Sequence, residues 1–338
     1  VIYGTELGNG NLVFAISTLD RSPLSGAAFN PSLAPLGISG FGTSFLAFGA
    51  GSVDSGPYAG SYTPFQNIPD PNCIANKGIL FPQASGSRCG FFYGDRFNVV
   101  NDEDHLKTYT SFQTELSNGR TFKVDYLTSE IDVNDNFQSP SYPALSLATP
   151  ANIIMPGQGG SPFSFPVRVL GRALGSAFDS PAAPRYLEAQ RLSLGLSGEL
   201  NNGFDMDINY TYSAEDNKGY QPDTSTSRFL NAIRGGSGAP GTWNLFDSTS
   251  NSQELIDYIG TFQATFVDVK LHVLDFVMTG VVNDVEVATG FQWRKEHHDV
   301  ARNDDSIAGF DANGNLSEPA DLIFLGGGIE TTASRAAY

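Results

Sequence analysis

Long apolar runs are missing from this sequence. No stretch approaches the roughly 18 consecutive apolar residues that a membrane-spanning helix needs. That excludes a helical membrane protein but not a barrel, whose strands carry apolar residues only at every second position. Basic residues are also scarce, 19 Lys and Arg against 36 Asp and Glu, for a net charge of −17. Nucleic acid is therefore excluded as a partner, since phosphate binding needs clustered Lys and Arg. Charge of either sign is sparse at 16% of residues, with 40% hydrophobic, which argues against disorder. Two cysteines, Cys73 and Cys89, stand too far apart for CxxC chemistry, and no second Cys pair supports a zinc site. They read as a loop disulfide made in an oxidising compartment, with a reduced thiol pair as the alternative.

What the chain has is turn formers and alternation. Gly (37) and Pro (19) are frequent, and stretches of helix formers are few. In 204–213, Phe204, Met206, Ile208, Tyr210 and Tyr212 alternate with Asp205, Asp207, Asn209, Thr211 and Ser213, the period of a strand with two unlike faces. The same period marks 121–129, 267–277 and 285–294, and more weakly 11–20, 106–116 and 187–199. This predicts seven strands and the start of an eighth near Tyr338.

The connections alternate too. Ser117-Asn118-Gly119-Arg120, Asn201-Asn202-Gly203 and Val282-Asn283-Asp284 read as tight hairpins, since Asn-Gly accepts the positive φ that such turns require. The other connections, about 22–104, 133–186, 214–258 and 298–331, are long. All long loops then leave one side of the sheet, as in transmembrane barrels. A soluble β-sandwich is the alternative, but its loops are usually moderate at both ends. The expected fold is an all-β, antiparallel transmembrane barrel over 1–338, present in part. Its apolar face turns to lipid, while Asp205, Asp207, Lys123, Asp125, Lys270 and His272 line a wet lumen. Tyr126, Tyr210, Tyr212 and Trp293 would form an aromatic girdle.

Three segments resemble TonB-dependent outer-membrane receptors. The first joins Cys89-Gly90-Phe91-Phe92-Tyr93 to 97–104 and 109–116. The second, Ala288-Thr289-Gly290-Phe291-Gln292-Trp293-Arg294-Lys295-Glu296, is similar to the family's A-x-G-x-E-x-R-x-E strand, with Gln292 where Glu is usual. The third is Asp321-Leu322-Ile323-Phe324-Leu325-Gly326-Gly327-Gly328 with Arg335-Ala336-Ala337-Tyr338. The resemblance implies a bacterial outer-membrane location and import of a scarce small-molecule nutrient. It also implies coupling to TonB through a plug domain that these residues do not include, so that the chain is a piece of a larger barrel. The rival readings are a passive porin, an adhesin or secreted β-protein that only presents loops, and an outer-membrane hydrolase. No enzyme and no cofactor are expected.

Other motifs carry less. Gly236-Ser237-Gly238-Ala239-Pro240-Gly241 matches a dinucleotide string without the strand and helix that would frame it. Asp311-Ala312-Asn313-Gly314-Asn315 and Asp132-Val133-Asn134-Asp135-Asn136 look like parts of calcium loops but lack the distal Glu, and they read as turns. His297 and His298 are adjacent on a strand and would point to opposite faces, so no metal site is expected. Phe91, Phe92, Tyr93, Tyr220, Trp243 and Phe246 fall in the long connections. They either pack loops together or line an aromatic ligand vestibule.

Overall fold

The computed structural model describes residues 1–32, 37–94, 96–137, 153–175, 177–179 and 181–338. The chain is mostly β, and its main element is a nine-stranded antiparallel sheet. The strands are β1 (Ile2–Leu7), β2 (Gly10–Arg21), β3 (Glu103–Glu115), β4 (Thr121–Val133), β5 (Arg185–Glu199), β6 (Asp205–Thr224), β7 (Gly260–Val282), β8 (Val285–Arg302) and β9 (Thr331–Ala337). Each pairs only with its neighbours in the sequence, so the sheet is a meander from β1 to β9. No sheet among the described residues closes into a barrel. All seven expected strands are present, and β9 is the expected start of an eighth. The first hairpin, β1–β2, was not expected; its two-residue turn, Gly8-Asn9, joins Leu7 to its partner Gly10.

Four tight turns lie at one end of the sheet and four long connections at the other. The turns differ in kind from the expectation. Ser117-Asn118-Gly119 and Asn201-Asn202-Gly203 are three-residue loops, closed by the N–H of Leu116 on the Arg120 carbonyl and that of Leu200 on the Phe204 carbonyl, both 2.7 Å. Only the glycine needs positive φ in such a loop, 76° at Gly119 and 79° at Gly203. The two-residue turn that does place both central residues at positive φ is Asn283-Asp284, which has no glycine.

The register fixes the two faces of the sheet. On one, Phe122, Leu196, Ile208, Phe276 and Phe291 lie side by side across β4 to β8. On the other lie Lys123, Gly195, Asn209, Asp275 and Gln292. This places Asp205, Asp207, Lys123 and Asp125 on the polar face, as the alternation requires. It corrects the reading for Lys270 and His272. Lys270 pairs with Ala214 and His272 with Tyr212, on the face of Ile208 and Phe276. A continuous strand cannot exchange its faces, so Leu274, Phe276 and Met278 set the register for all of β7. Above them the apolar residues of that strand, Val267, Val269 and Leu271, fall on the polar face.

The buried core is not in the sheet. Of the buried hydrophobic residues, Ala264 on β7 is the one contributed by the nine strands among the described residues. The rest come from the long connections, which fold together as a cap. Val167–Gly171 pairs with Thr43–Ala47, joining the second long connection to the first in a four-stranded sheet. The third connection adds α1 (Thr226–Ile233) and α2 (Gln253–Ile259). Both begin at serine N-caps: Ser225 accepts from the Arg228 N–H and Ser252 from the Leu255 N–H. Phe45, Val167, Phe229, Ile233, Trp243 and Leu255 meet in one core drawn from three connections. Among the described residues no helix is long and apolar enough to cross a membrane.

Candidate functional site

Cys73 and Cys89 form a disulfide with Cα atoms 5.7 Å apart. It ties the turn at 70–77 to the strand Ser87–Phe92, whose Cys89 N–H donates to Ser44 Oγ at 2.7 Å. The bond therefore joins two parts of the first connection beside the strand Thr43–Ala47, which carries part of the cap core.

The six candidate aromatics do not converge. Phe91 is fully buried, with the guanidinium groups of Arg172 and Arg96 at 4.3 and 4.8 Å from its ring centroid. Trp243 is also fully buried and meets Phe229 edge-on. Phe246 stacks on Phe45 at 4.3 Å. These three are core side chains of the cap. Phe92 is half-buried, and Tyr93 is exposed with its edge against Phe97. Tyr220, expected in a loop, lies on β6, which continues well past Ser213, and it joins Phe262 and Phe266 of β7. The alternation weakens after Ser213, so the period by itself marks only the first half of that strand.

The apolar face of the sheet changes character toward the cap. Tyr210, Tyr212, Tyr126 and Trp293 lie on it at adjacent levels, and the Tyr210 hydroxyl meets His272 Nδ1 at 2.8 Å. Above them runs a row of carboxylates paired strand to strand: Glu130 with Glu188, Glu188 with Asp216, Asp216 with Asp268, and Asp268 with Asp299. Like charges directly opposite repel, and Lys270 beside Asp268 (3.0 Å) and Lys218 beside Asp216 (3.5 Å) offset part of this. The residues of this row lie far apart in the sequence, and only the register brings them together.

The polar face carries its own network. Tyr109 donates to Asp125 at 2.7 Å, and Lys123 pairs with the same carboxylate at 2.8 Å. The five marked positions of the A-x-G-x-E-x-R-x-E segment, Ala288, Gly290, Gln292, Arg294 and Glu296, all fall on this face of β8. Gln292 Nε2 donates to Asp275 Oδ1 at 2.7 Å. A glutamate there would face Asp275 with like charge.

His297 and His298 fall on opposite faces, His297 toward Ser334 Oγ at 3.0 Å. Asp311 is a turn residue whose carboxylate accepts from the N–H groups of Asn313 and Asn315, both 2.8 Å. Asp135 takes up the Asn98 amide at 2.7 Å and the Asp102 N–H. The glycines at 235–238 form a loop after α1. No protein-family model matches the chain, and no curated protein sequence matches it.

Proposed function

We propose that this chain is part of the wall, with the outer cap, of a bacterial outer-membrane transport barrel of the TonB-dependent type, which takes up a scarce small-molecule nutrient. The observation that carries this reading is the uncovered apolar face. Across β2 to β8 it presents Phe14, Phe112, Val124, Leu194, Ile208, Phe276 and Phe291, while the protein's own core lies in the cap. In water such a face would be a large exposed apolar patch; in lipid it is the required outer surface. From Phe204 to Tyr212 it runs about 26 Å along the chain, at ~3.3 Å per residue, which at a tilt of about 40° covers roughly 20 Å of the apolar band of about 25 Å in barrels of this kind. The girdle of Tyr and Trp and then the carboxylate row bound the band on the cap side, since charge belongs outside hydrocarbon.

The part played by TonB rests on the sequence resemblance. In that reading the polar face, with Asp125, Lys123, Asp275 and Arg294, lines the passage, and the cap gathers ligand. The test is ligand uptake by the complete protein in cells with and without functional TonB. Accumulation only with TonB supports the reading; equal uptake in both strains assigns the barrel to passive diffusion instead.

A further inference from the structure

The four-stranded sheet of the cap turns one face to the core. Phe45, Ala47, Ile68, Val167 and Val169 are buried there. Arg168, Leu46 and Asn67 lie side by side across its strands and share the other face. Phe48 and Phe65 extend that second face past the strand ends. Phe48 follows Leu46 by two residues and Phe65 precedes Asn67 by two, and the Phe65 N–H donates to the Ala47 carbonyl at 2.7 Å. The Arg168 guanidinium lies over the Phe48 ring, 4.9 Å from its centroid, and Phe65 meets the same ring edge-on at 6.2 Å.

Among the described residues, nothing polar holds this guanidinium. Arg168 is half-buried and its Nε is shut from solvent without a partner. Its two terminal nitrogens reach the surface and form neither a hydrogen bond nor an ion pair. That is out of keeping with a chain of 36 acidic and 19 basic residues, in which Arg21, Arg228, Arg294 and Arg335 each meet a carboxylate. A second arginine approaches the same face. Arg88 donates its Nε to Asn67 Oδ1 at 2.8 Å and forms no ion pair among the described residues.

Phe65 is the other unusual residue. It is 67% exposed and has φ of 64°, a conformation that bulky side chains rarely adopt. Such strain persists only where the surroundings impose it. Here a turn does so: the Gln66 N–H donates to the Thr63 carbonyl at 3.2 Å, and Gln66 Oε1 accepts from the Thr63 N–H at 3.0 Å. The fold thus bears strain to hold an aromatic ring in solvent, next to a guanidinium that lacks an anion.

We infer that Arg168 and Phe65 form a binding site for an aryl carboxylate, its ring stacked on Phe65 and its carboxylate on the terminal nitrogens of Arg168. The planar fork of a guanidinium matches a carboxylate through two parallel hydrogen bonds. Phe48 holds that fork in place without neutralising it, and Arg88 adds positive potential. A phosphoryl group would call for donors on more than one side, which a single fork does not supply. That this ligand is the nutrient taken up rests on the transport reading; its binding to the cap does not.

The test is titration of the purified chain in detergent with naphthoate, read by ligand fluorescence, with naphthamide (ring without charge) and cyclohexanecarboxylate (charge without ring) as comparisons. Naphthoate should bind saturably, and the other two at least about tenfold more weakly. Arg168→Gln should weaken naphthoate binding at least about tenfold. Phe65→Asn should weaken it about fivefold while leaving the thermal unfolding temperature unchanged or raised, since asparagine tolerates positive φ. Arg335→Gln, which removes the same charge from the sheet, should bind as wild type does. The inference is overturned if naphthoate does not saturate, if either comparison compound binds as tightly, if folded Arg168→Gln or Phe65→Asn binds as wild type does, or if Arg335→Gln loses as much as Arg168→Gln. Failure here leaves TonB-dependent uptake standing, and equal uptake with and without TonB leaves this binding standing.

Discussion

The carboxylate of Asp223, at the outer end of β6, accepts a hydrogen bond from the backbone N–H of Leu325 at 2.9 Å, so the fourth long connection is fastened to the third strand before it. A reciprocal tie runs the other way. Asp321 accepts from the Ser227 N–H and Oγ, both 2.7 Å, and from Ser225 Oγ. Both aspartates lie beyond the apolar band, on the cap side.

The two ties respond to pH with opposite signs. Burial pushes the Asp223 carboxyl up from 3.8 to about 6, against the N–H groups of Leu325, Thr224, Phe324 and Ile323 that favour its charge. A raised carboxyl contributes stability that is full below 3.8 and lost as pH rises through about 6. Burial also acts to raise Asp321, but hydrogen bonds from Ser225 and Ser227 and the charge of Arg228 hold it below 3.8. Its contribution is present above 3.8 and lost as pH falls through its folded value. Docking of 321–325 should therefore be tightest near pH about 4 and weaken progressively as pH rises to about 6. Hydrogen-exchange protection of that segment, corrected for intrinsic rates, should fall between pH about 4 and about 6 in wild type and no longer do so in Asp223→Asn. Protection that is flat across the range would remove this account.

Ile208 sits between Leu196 and Phe276, and its neighbour Asn209 between Gly195 and Asp275. Ile208→Lys should cost about 2–4 kcal/mol on refolding into bilayers. Asn209→Lys should cost much less, having Asp275 opposite. Equal penalties would show that the apolar face does not meet lipid.

Gln292→Glu should destabilise the β7–β8 pair by about 0.2–1 kcal/mol at neutral pH, because it sets like charges opposite each other. The loss should vanish in the double variant with Asp275→Asn. Denaturant titration at two pH values measures both, and a neutral single variant would separate Gln292 from Asp275.

Replacing Cys73 and Cys89 by alanine should destabilise the cap by roughly 3 kcal/mol, the loop-closure figure for a ring of about this size. The sheet should be unaffected, since its core is separate. Circular dichroism should then report an earlier cap transition with β signal retained; a single shifted transition would mean that cap and sheet unfold together.

The strands of the meander were readable because each half-solvated face writes its period into the chain. Phe204–Ser213 shows it most clearly, and the same residues fix β6 in the structure. The first hairpin was missed although Gly8-Asn9 between Leu7 and Gly10 is a turn signal. The cap was not readable. Its core joins Phe45, Val167 and Trp243 across connections with no shared period, and its short strands carry two to six residues each. The carboxylate row depends on register between strands far apart in the sequence, which leaves no local mark. The aromatics were visible as residue types, but burial separated Phe91, Trp243 and Phe246 from Tyr93.

Because every strand of the nine-stranded sheet pairs only with the strands before and after it in that sheet, the hairpin is its natural unit of change. A hairpin can be duplicated or removed without rethreading any other strand, and the parity of the faces survives because strands enter or leave in pairs. Such a sheet can widen or narrow over evolutionary time while each surviving connection still emerges on its own side. The cap has no such freedom. Its core is shared among three connections, so loss of one hairpin there would strip partners from two others, and the cap should vary by substitution while the sheet varies by number.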